Sequence, residues 1–288
     1  MNVRGERECQ DCGTRWSYYE TGSIECPNCD SLRSVGIDDR TTHTDAAATL
    51  NLDAHRARFG DAPGFLPEEG VDELKSTLRD YLRKRGFIRG GELRPLDTTY
   101  LAARELLEAV DCYDRLRNPT DRDREYLLDL LGGVDSGDRL EAARVPDSLR
   151  EARGLAAVRA VDEYRSDLLT FLDELESHGA KAEDDEPKDS RDEPKDPHDK
   201  TGDTADSGTP TPTVWVTGAN GAARVADARN ILGRLRDQTK RIEALTGDVP
   251  PADADALTDA ANATGEYVRT GNESALSRAR ERLSSAAE

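Results

Sequence analysis

Two Cys-x-x-Cys turns near the start of the chain limit its possible folds more than anything else in it. Cys9-Gln10-Asp11-Cys12-Gly13 and Cys26-Pro27-Asn28-Cys29-Asp30 stand with 13 residues between the pairs. Two thiolates three positions apart can face one ion from a single tight turn, and two such turns brought together complete a tetrahedron of sulfurs. Gly13 can take the left-handed conformation that closes such a turn, and Asp30 is among the side chains that tolerate it best. Between the pairs, Thr14-Arg15-Trp16-Ser17-Tyr18-Tyr19 is rich in β-formers. With Thr21-Gly22-Ser23 as a turn and Ile24-Glu25 as the return, the segment predicts a hairpin.

A unit of roughly 40 residues has too small an apolar core to fold without a staple. Zinc binding contributes ~10–16 kcal/mol in comparable peptides, enough to dominate folding. The expected ligands are Cys9, Cys12, Cys26 and Cys29. Four protein ligands leave no open position for water or substrate, so the site is expected to be structural rather than catalytic. Arg7, Arg15 and Arg33 are placed to offset part of the −2 that four thiolates and a divalent ion carry. Two disulfides are the competing reading. The charged N-terminus from Met1 to Gln10 has no apolar core of a secretory signal, which argues against them and for a cytoplasmic location.

Residues 4–36 resemble the zinc ribbon of archaeal general transcription factor B, and the whole chain resembles zinc-ribbon proteins of halophilic archaea. The ribbon resemblance covers about a ninth of the chain and implies only the four cysteine ligands. The factor's cyclin-like repeats are not recognisable in residues 41–178, so its initiation activity is not implied. The pattern also resembles rubredoxin-like modules and the small iron ribbon of rubrerythrin-type proteins, which makes iron the alternative ion. The rubrerythrin-type proteins carry Glu-x-x-His pairs on a helical bundle. Here His43, His55, His178 and His198 are the only histidines, and none follows a glutamate by three. Zinc is therefore the expected ion.

The 288 residues carry a net charge of −19. The basic side chains are 33 Arg and only 7 Lys, and this acidic, lysine-poor balance is the halophile-like feature. In molar salt the Debye length shrinks to ~3 Å, so self-repulsion at such a charge is mostly screened. Nucleic acid is then not excluded as a partner, although the charge does nothing to favour it. No run approaches the ~18 apolar residues of a membrane span.

Four segments separate by composition. Residues 1–40 are the ribbon. Residues 41–178 alternate amphipathic patterns with Gly/Pro breaks. Residues 179–212 lack Leu, Ile, Val, Phe, Tyr and Trp and repeat Asp-Glu-Pro-Lys-Asp at 185–189 and 192–196, which predicts a disordered acidic linker. Residues 213–288 are expected to form a small three-helix unit.

In the second segment Val71, Leu74, Leu78 and Leu82 fall at helical spacing, and Arg79, Arg83, Lys84 and Arg85 gather toward the end of that helix. Asp97 can cap a second helix with Leu106, Val110, Tyr113 and Leu116 inward. Thr120 starts a third with Leu127, Leu130 and Leu131, and Pro146-Asp147 opens a fourth that extends to Leu175. Short connections predict an antiparallel bundle, so the fold class is mainly α with a small N-terminal β ribbon. In the last segment, helices are expected over about 222–245 and 252–269, with Asn272 capping a third.

Weaker signals have plain structural readings. Trp16, Tyr18 and Tyr19 could form a contact patch, but a small ribbon has few other core residues, so they are expected to cover the hairpin or dock it on the helices. Val214 to Arg224 resembles the strand–turn–helix opening of nucleotide-sugar epimerases and short-chain dehydrogenases. Arg224 stands where the third glycine belongs, so the segment is read as a loop entering a helix. Arg224, Arg229, Arg234, Arg236, Lys240 and Arg241 make one helix basic, which is usually a solvated face. Cys112 is expected to pack as a small apolar group. His43, just after the ribbon, is a spare ligand that four cysteines make unnecessary.

No nucleophile–base pair or phosphate loop appears, so no catalytic and no cofactor-binding residue is assigned. The expected function is a zinc-binding, non-enzymatic adaptor whose ribbon presents a hairpin to a protein or nucleic-acid partner, with transcription as one setting. The alternative is an enzyme with its chemistry in the bundle and the ribbon as a staple.

Overall fold

The computed structural model describes residues 1–60, 68–184 and 219–285. The first 42 residues are built from short strands. Strand β1 (Asn2–Arg4) pairs antiparallel with β5 (Arg40–Thr42). A separate three-stranded sheet has the order β3-β2-β4, formed by β2 (Glu6–Cys9), β3 (Arg15–Ser17) and β4 (Ser34–Gly36). Its registers set Arg7 opposite Trp16 on one side and Gly36 on the other.

The hairpin therefore differs from the expected one. The first cysteine turn itself joins β2 to β3, and Tyr18–Thr21 coil into one helical turn, α1. Ile24 and Glu25 make no strand; the return strand is β4, beyond the second cysteine pair. The run of β-formers over 14–19 makes a strand only from Arg15 to Ser17. After it, the Tyr18 amide donates to Gly5 O and the chain turns away from the sheet.

The rest is helical: α2 (Asp53–Phe59), α3 (Glu68–Lys84), α4 (Thr98–Arg115), α5 (Asp121–Gly133), α6 (Arg150–Asp184), α7 (Ala219–Ala244), α8 (Pro251–Thr270) and α9 (Glu273–Ser285). The start signals act as written in the sequence. Asp97 accepts from the Tyr100 amide at 2.7 Å, Thr120 and Asp123 form a reciprocal capping box, and Asn272 accepts from the Ser274 amide at 3.0 Å. A two-stranded hairpin, β6 (Ile88–Arg89) and β7 (Glu92–Leu93), stands between α3 and α4.

One hydrophobic cluster runs from Leu50 to Leu283, and α6 packs on α4, α7 and α8. Helix α4 is central: every residue from Tyr100 to Val110 is buried, not only one face. That is possible because its charged residues are paired. Arg104 meets Glu163 at 2.5 Å, Glu108 meets Arg159 at 2.9 Å, and Glu105 meets both Arg139 (2.7 Å) and Arg153 (2.8 Å). Arg139 and Arg153 both continue to Asp255 on α8, so one ionic network ties the C-terminal helices to α4 and α6.

The expected linker, 179–212, lies outside the described residues except at 179–184, the end of α6. Residues 214–218 of the glycine-containing segment lie outside them as well, and Ala219 opens α7. Among the described residues no helix is long and apolar enough to cross a membrane.

Candidate metal centre

Each cysteine pair sits on the same backbone device. The Gly13 amide donates to Cys9 O at 3.0 Å and the Cys9 amide to Thr14 O at 2.9 Å. In the second turn Asp30 donates to Cys26 O and Cys26 donates to Ser31 O, both at 2.9 Å. Gly13 and Asp30 occupy equivalent positions and both are left-handed, with φ of 72° and 56°. That conformation folds the chain back so that both sulfurs of a pair face one point.

The four sulfurs converge. Cys9, Cys12, Cys26 and Cys29 present Sγ atoms that all lie within 4.8 Å of one another. Three separations are 3.7 Å (Cys9–Cys29), 3.6 Å (Cys12–Cys26) and 3.4 Å (Cys12–Cys29). A tetrahedron with metal–sulfur bonds of ~2.3 Å has edges of about 3.8 Å. A disulfide needs ~2.05 Å, so the thiols are free and spaced for an ion instead. The set can hold a metal ion, and nothing in its geometry favours zinc over iron.

Burial divides each pair. Cys9 and Cys26 are 1% and 0% exposed and pack with Trp16, whereas Cys12 and Cys29 face solvent. Hydrogen bonding from Thr14, whose hydroxyl lies 3.2 Å away, brings the Cys12 thiol down to about 6. Cys29 goes the other way, to about 12. The Ser31 amide acts to lower it, but the hydrogen bond with Cys12, desolvation and the other two sulfurs outweigh that. Four sulfurs this close cannot all be anions without a cation among them.

The three arginines are engaged with other partners. Arg15 pairs with Glu8 at 2.6 Å, Arg33 with Asp11 at 2.7 Å, and Arg7 donates to Ser34. Besides the Thr14 hydroxyl, the Asn28 side-chain amide is aimed at the Cys12 sulfur, 3.8 Å away.

The aromatics divide between two tasks. Trp16 is core to the ribbon, its indole N–H donating to Ser23 O at 3.0 Å. Tyr19 docks the ribbon on the helical body. Its ring lies 4.7 Å from that of buried His43, its hydroxyl is 2.6 Å from Thr41 Oγ1, and Arg89 donates to its carbonyl at 2.7 Å. The β6–β7 turn is glycine for this reason. Gly90 has φ of 60°, and a Cβ there would sit 2.8 Å from the Tyr19 ring. His43 belongs to this seam and not to the sulfur cluster: Gly90 N–H donates to its Nδ1 at 3.4 Å. Cys112 is buried on α4, and burial pushes its thiol up to about 11.

The seam hairpin is the feature the sequence reading missed. Gly90-Gly91 between Ile88-Arg89 and Glu92-Leu93 is a two-residue hairpin signal of a well-defined kind, with both glycines left-handed. The basic face of α7 is partly occupied, since Arg229 pairs with Asp173 and Glu176 of α6.

A family model described as "Family of unknown function (DUF7117)" matches residues 1–193 and 214–283, so the chain belongs to that family. No curated protein and no solved structure matches it.

Proposed function

We propose that this member of the DUF7117 family is a zinc-binding adaptor without enzymatic activity, whose ribbon presents a rigid face to a protein partner. The observation that carries the reading is where the exposed apolar side chains fall. Of the six large hydrophobic residues that stand exposed among those described, five lie in the ribbon: Met1 at its start, and Ile24, Leu32, Val35 and Ile37. Leu32 is 68% exposed and Val35 sits on β4, an edge strand with a free side. The ribbon is held to the helices elsewhere, at Tyr19 and His43, so these side chains are not needed for that contact. A metal with four cysteine ligands would fix this face and leave no position for a substrate.

A protein is favoured over nucleic acid because residues 1–40 carry eight acidic against five basic side chains. Zinc is favoured over iron by the usual occupancy of closed four-cysteine sites. The likeness of residues 4–36 to the ribbon of archaeal general transcription factor B directs the search for the partner to the transcription machinery. The acidic, lysine-poor composition directs it to molar salt, where a halophile's cytoplasm would set the conditions.

The test is affinity capture in such salt with the intact chain and with a Leu32→Asp/Val35→Asp variant, both checked by elemental analysis for one zinc per chain. A defined partner held by the intact chain and lost from the variant is expected. Capture of the same partner by both would end the reading, and a red, iron-containing preparation would replace the zinc.

A further inference from the structure

We infer that a cleft where α3, α4 and α6 meet is a binding site for a polyphosphate anion, independent of the ribbon. The cleft has a volume of about 330 Å³ and is lined by Arg79, Leu82, Arg83, Arg85, Arg104 and Glu163. Four guanidinium groups face one carboxylate in a chain whose net charge is −19.

Helix-end electrostatics explain part of this. Cations near the C-terminus of α3 complement its dipole, and Arg83 and Arg85 fit that account. Arg83 pairs with Asp80; Arg85 pairs with Asp97 at 2.7 Å and Asp45 at 3.2 Å. Arg79 does not fit it. It lies more than a turn before the helix end, is exposed, and has no ionic or hydrogen-bond partner among the described residues. It also stands four positions before Arg83, a like-charge spacing that destabilises a bare helix.

Arg104 supplies the second, independent observation. It is 9% exposed, yet its side chain reaches the wall of the cleft. One terminal nitrogen donates to Tyr100 Oη at 3.0 Å and to Glu163 Oε1 at 2.5 Å, while its Nε is buried with no acceptor. Glu163 is also shared with the Tyr100 hydroxyl, so a single carboxylate serves two donors beside four cations. A fixed, under-satisfied guanidinium at the back and the exposed ones of Arg79 and Arg83 at the rim form an anion cradle.

Guanidinium forks match phosphate oxygens in pairs, and several of them favour adjacent phosphates over a single one. The volume is at the low end of small-ligand sites, ~300–1,000 Å³. Leu82 is the only apolar lining residue and no aromatic ring lines the cleft, so nothing is placed to stack a base. The phosphate chain itself is the recognised group, whether it comes as free pyrophosphate or as the tail of a nucleotide.

The test is calorimetric titration of the full metal-loaded chain with pyrophosphate, ATP and orthophosphate, at the lowest salt that preserves its helical circular dichroism. Saturable one-site binding is expected, with pyrophosphate at least tenfold tighter than orthophosphate. ATP equal to pyrophosphate makes the phosphate chain the whole ligand; ATP tenfold tighter makes a nucleotide the source. Arg79→Glu, at an exposed position, should weaken binding at least tenfold with the dichroism unchanged, and Arg40→Glu in the ribbon should not. Arg104→Lys, which keeps charge and loses the fork, should weaken it too if that variant folds. Absence of saturable binding, or an Arg79→Glu variant that binds like the parent, would overturn the inference.

Discussion

The ribbon buries only Cys9, Trp16 and Cys26 in a core of its own, whereas the helical body buries one continuous cluster from Leu50 to Leu283. The two regions share one chain but not one source of order. Apolar burial at ~25 cal/mol per Å² can hold the body together, but three side chains are too few for strands of three and four residues. The seam at Tyr19 and, where the four sulfurs hold a metal ion, that ion would supply the order that burial does not. The difference teaches that loss of structure in one region need not carry the other with it.

Metal removal should separate them most sharply. With ~10–16 kcal/mol of binding free energy withdrawn, β2, β3 and β4 should melt while α3 to α9 keep their helical signal. The same should follow Cys26→Ser, which removes the fully buried sulfur. Hydrogen exchange resolved by segment would show residues 6–36 unprotected and α4 still protected. If chelation melts both regions in one transition, the ribbon is part of the body's core and the comparison fails.

The converse perturbation belongs to the body. Glu105 is fully buried and accepts from Arg139, Arg153 and the Tyr126 hydroxyl. Glu105→Leu leaves Arg139 and Arg153 to share Asp255 as their one remaining carboxylate, a buried charge short of balance, which should cost about 3–5 kcal/mol. At roughly 2–4 °C per kcal/mol for a chain of this size, Tm should fall by on the order of 10 °C. Metal affinity, measured by chelator competition, should stay unchanged; a parallel loss of affinity would show that the two regions fold as one.

These contrasts also mark what the sequence made legible. The convergence of the four cysteines was readable because Cys-x-x-Cys with Gly13 and Asp30 is a local device, complete within six residues. Helix starts at Asp97, Thr120 and Asn272 were readable for the same reason. The all-round burial of α4 was not, because Arg104, Glu105 and Glu108 look like a solvated face until their partners Glu163, Arg139, Arg153 and Arg159 arrive from elsewhere in the chain. The hairpin was misplaced because β-formers at Tyr18 and Tyr19 serve the seam and not the sheet. The Tyr19 ring packs on His43 and against Gly90, the latter some seventy residues further along the chain.

The seam itself gives the smallest effect and a sign that can be worked out. Burial holds the His43 imidazole below its ordinary value of about 6.5; Asp45 pulls it up, while Arg89 and the N-terminal ammonium push it down. The unfolded chain takes up this proton near 6.5 and the folded chain only at lower pH. Between the two values the unfolded state binds more protons, so stability rises with pH across that window and is fully present above it. Asp45 has the opposite sign: burial raises its pKa, so its contribution is present below 3.8 and lost as pH rises through the raised value. On the approach from neutral pH His43 is the group that starts to matter, because protonation at Nδ1 removes the acceptor for Gly90 N–H. Protection of the Gly90 and Gly91 amides, corrected for intrinsic exchange, should therefore decline as pH falls below about 6.5, while amides of α4 hold. His43→Asn should flatten that decline. A decline that persists in the variant would assign the acid response to the ribbon's sulfurs and leave the seam as a purely apolar joint.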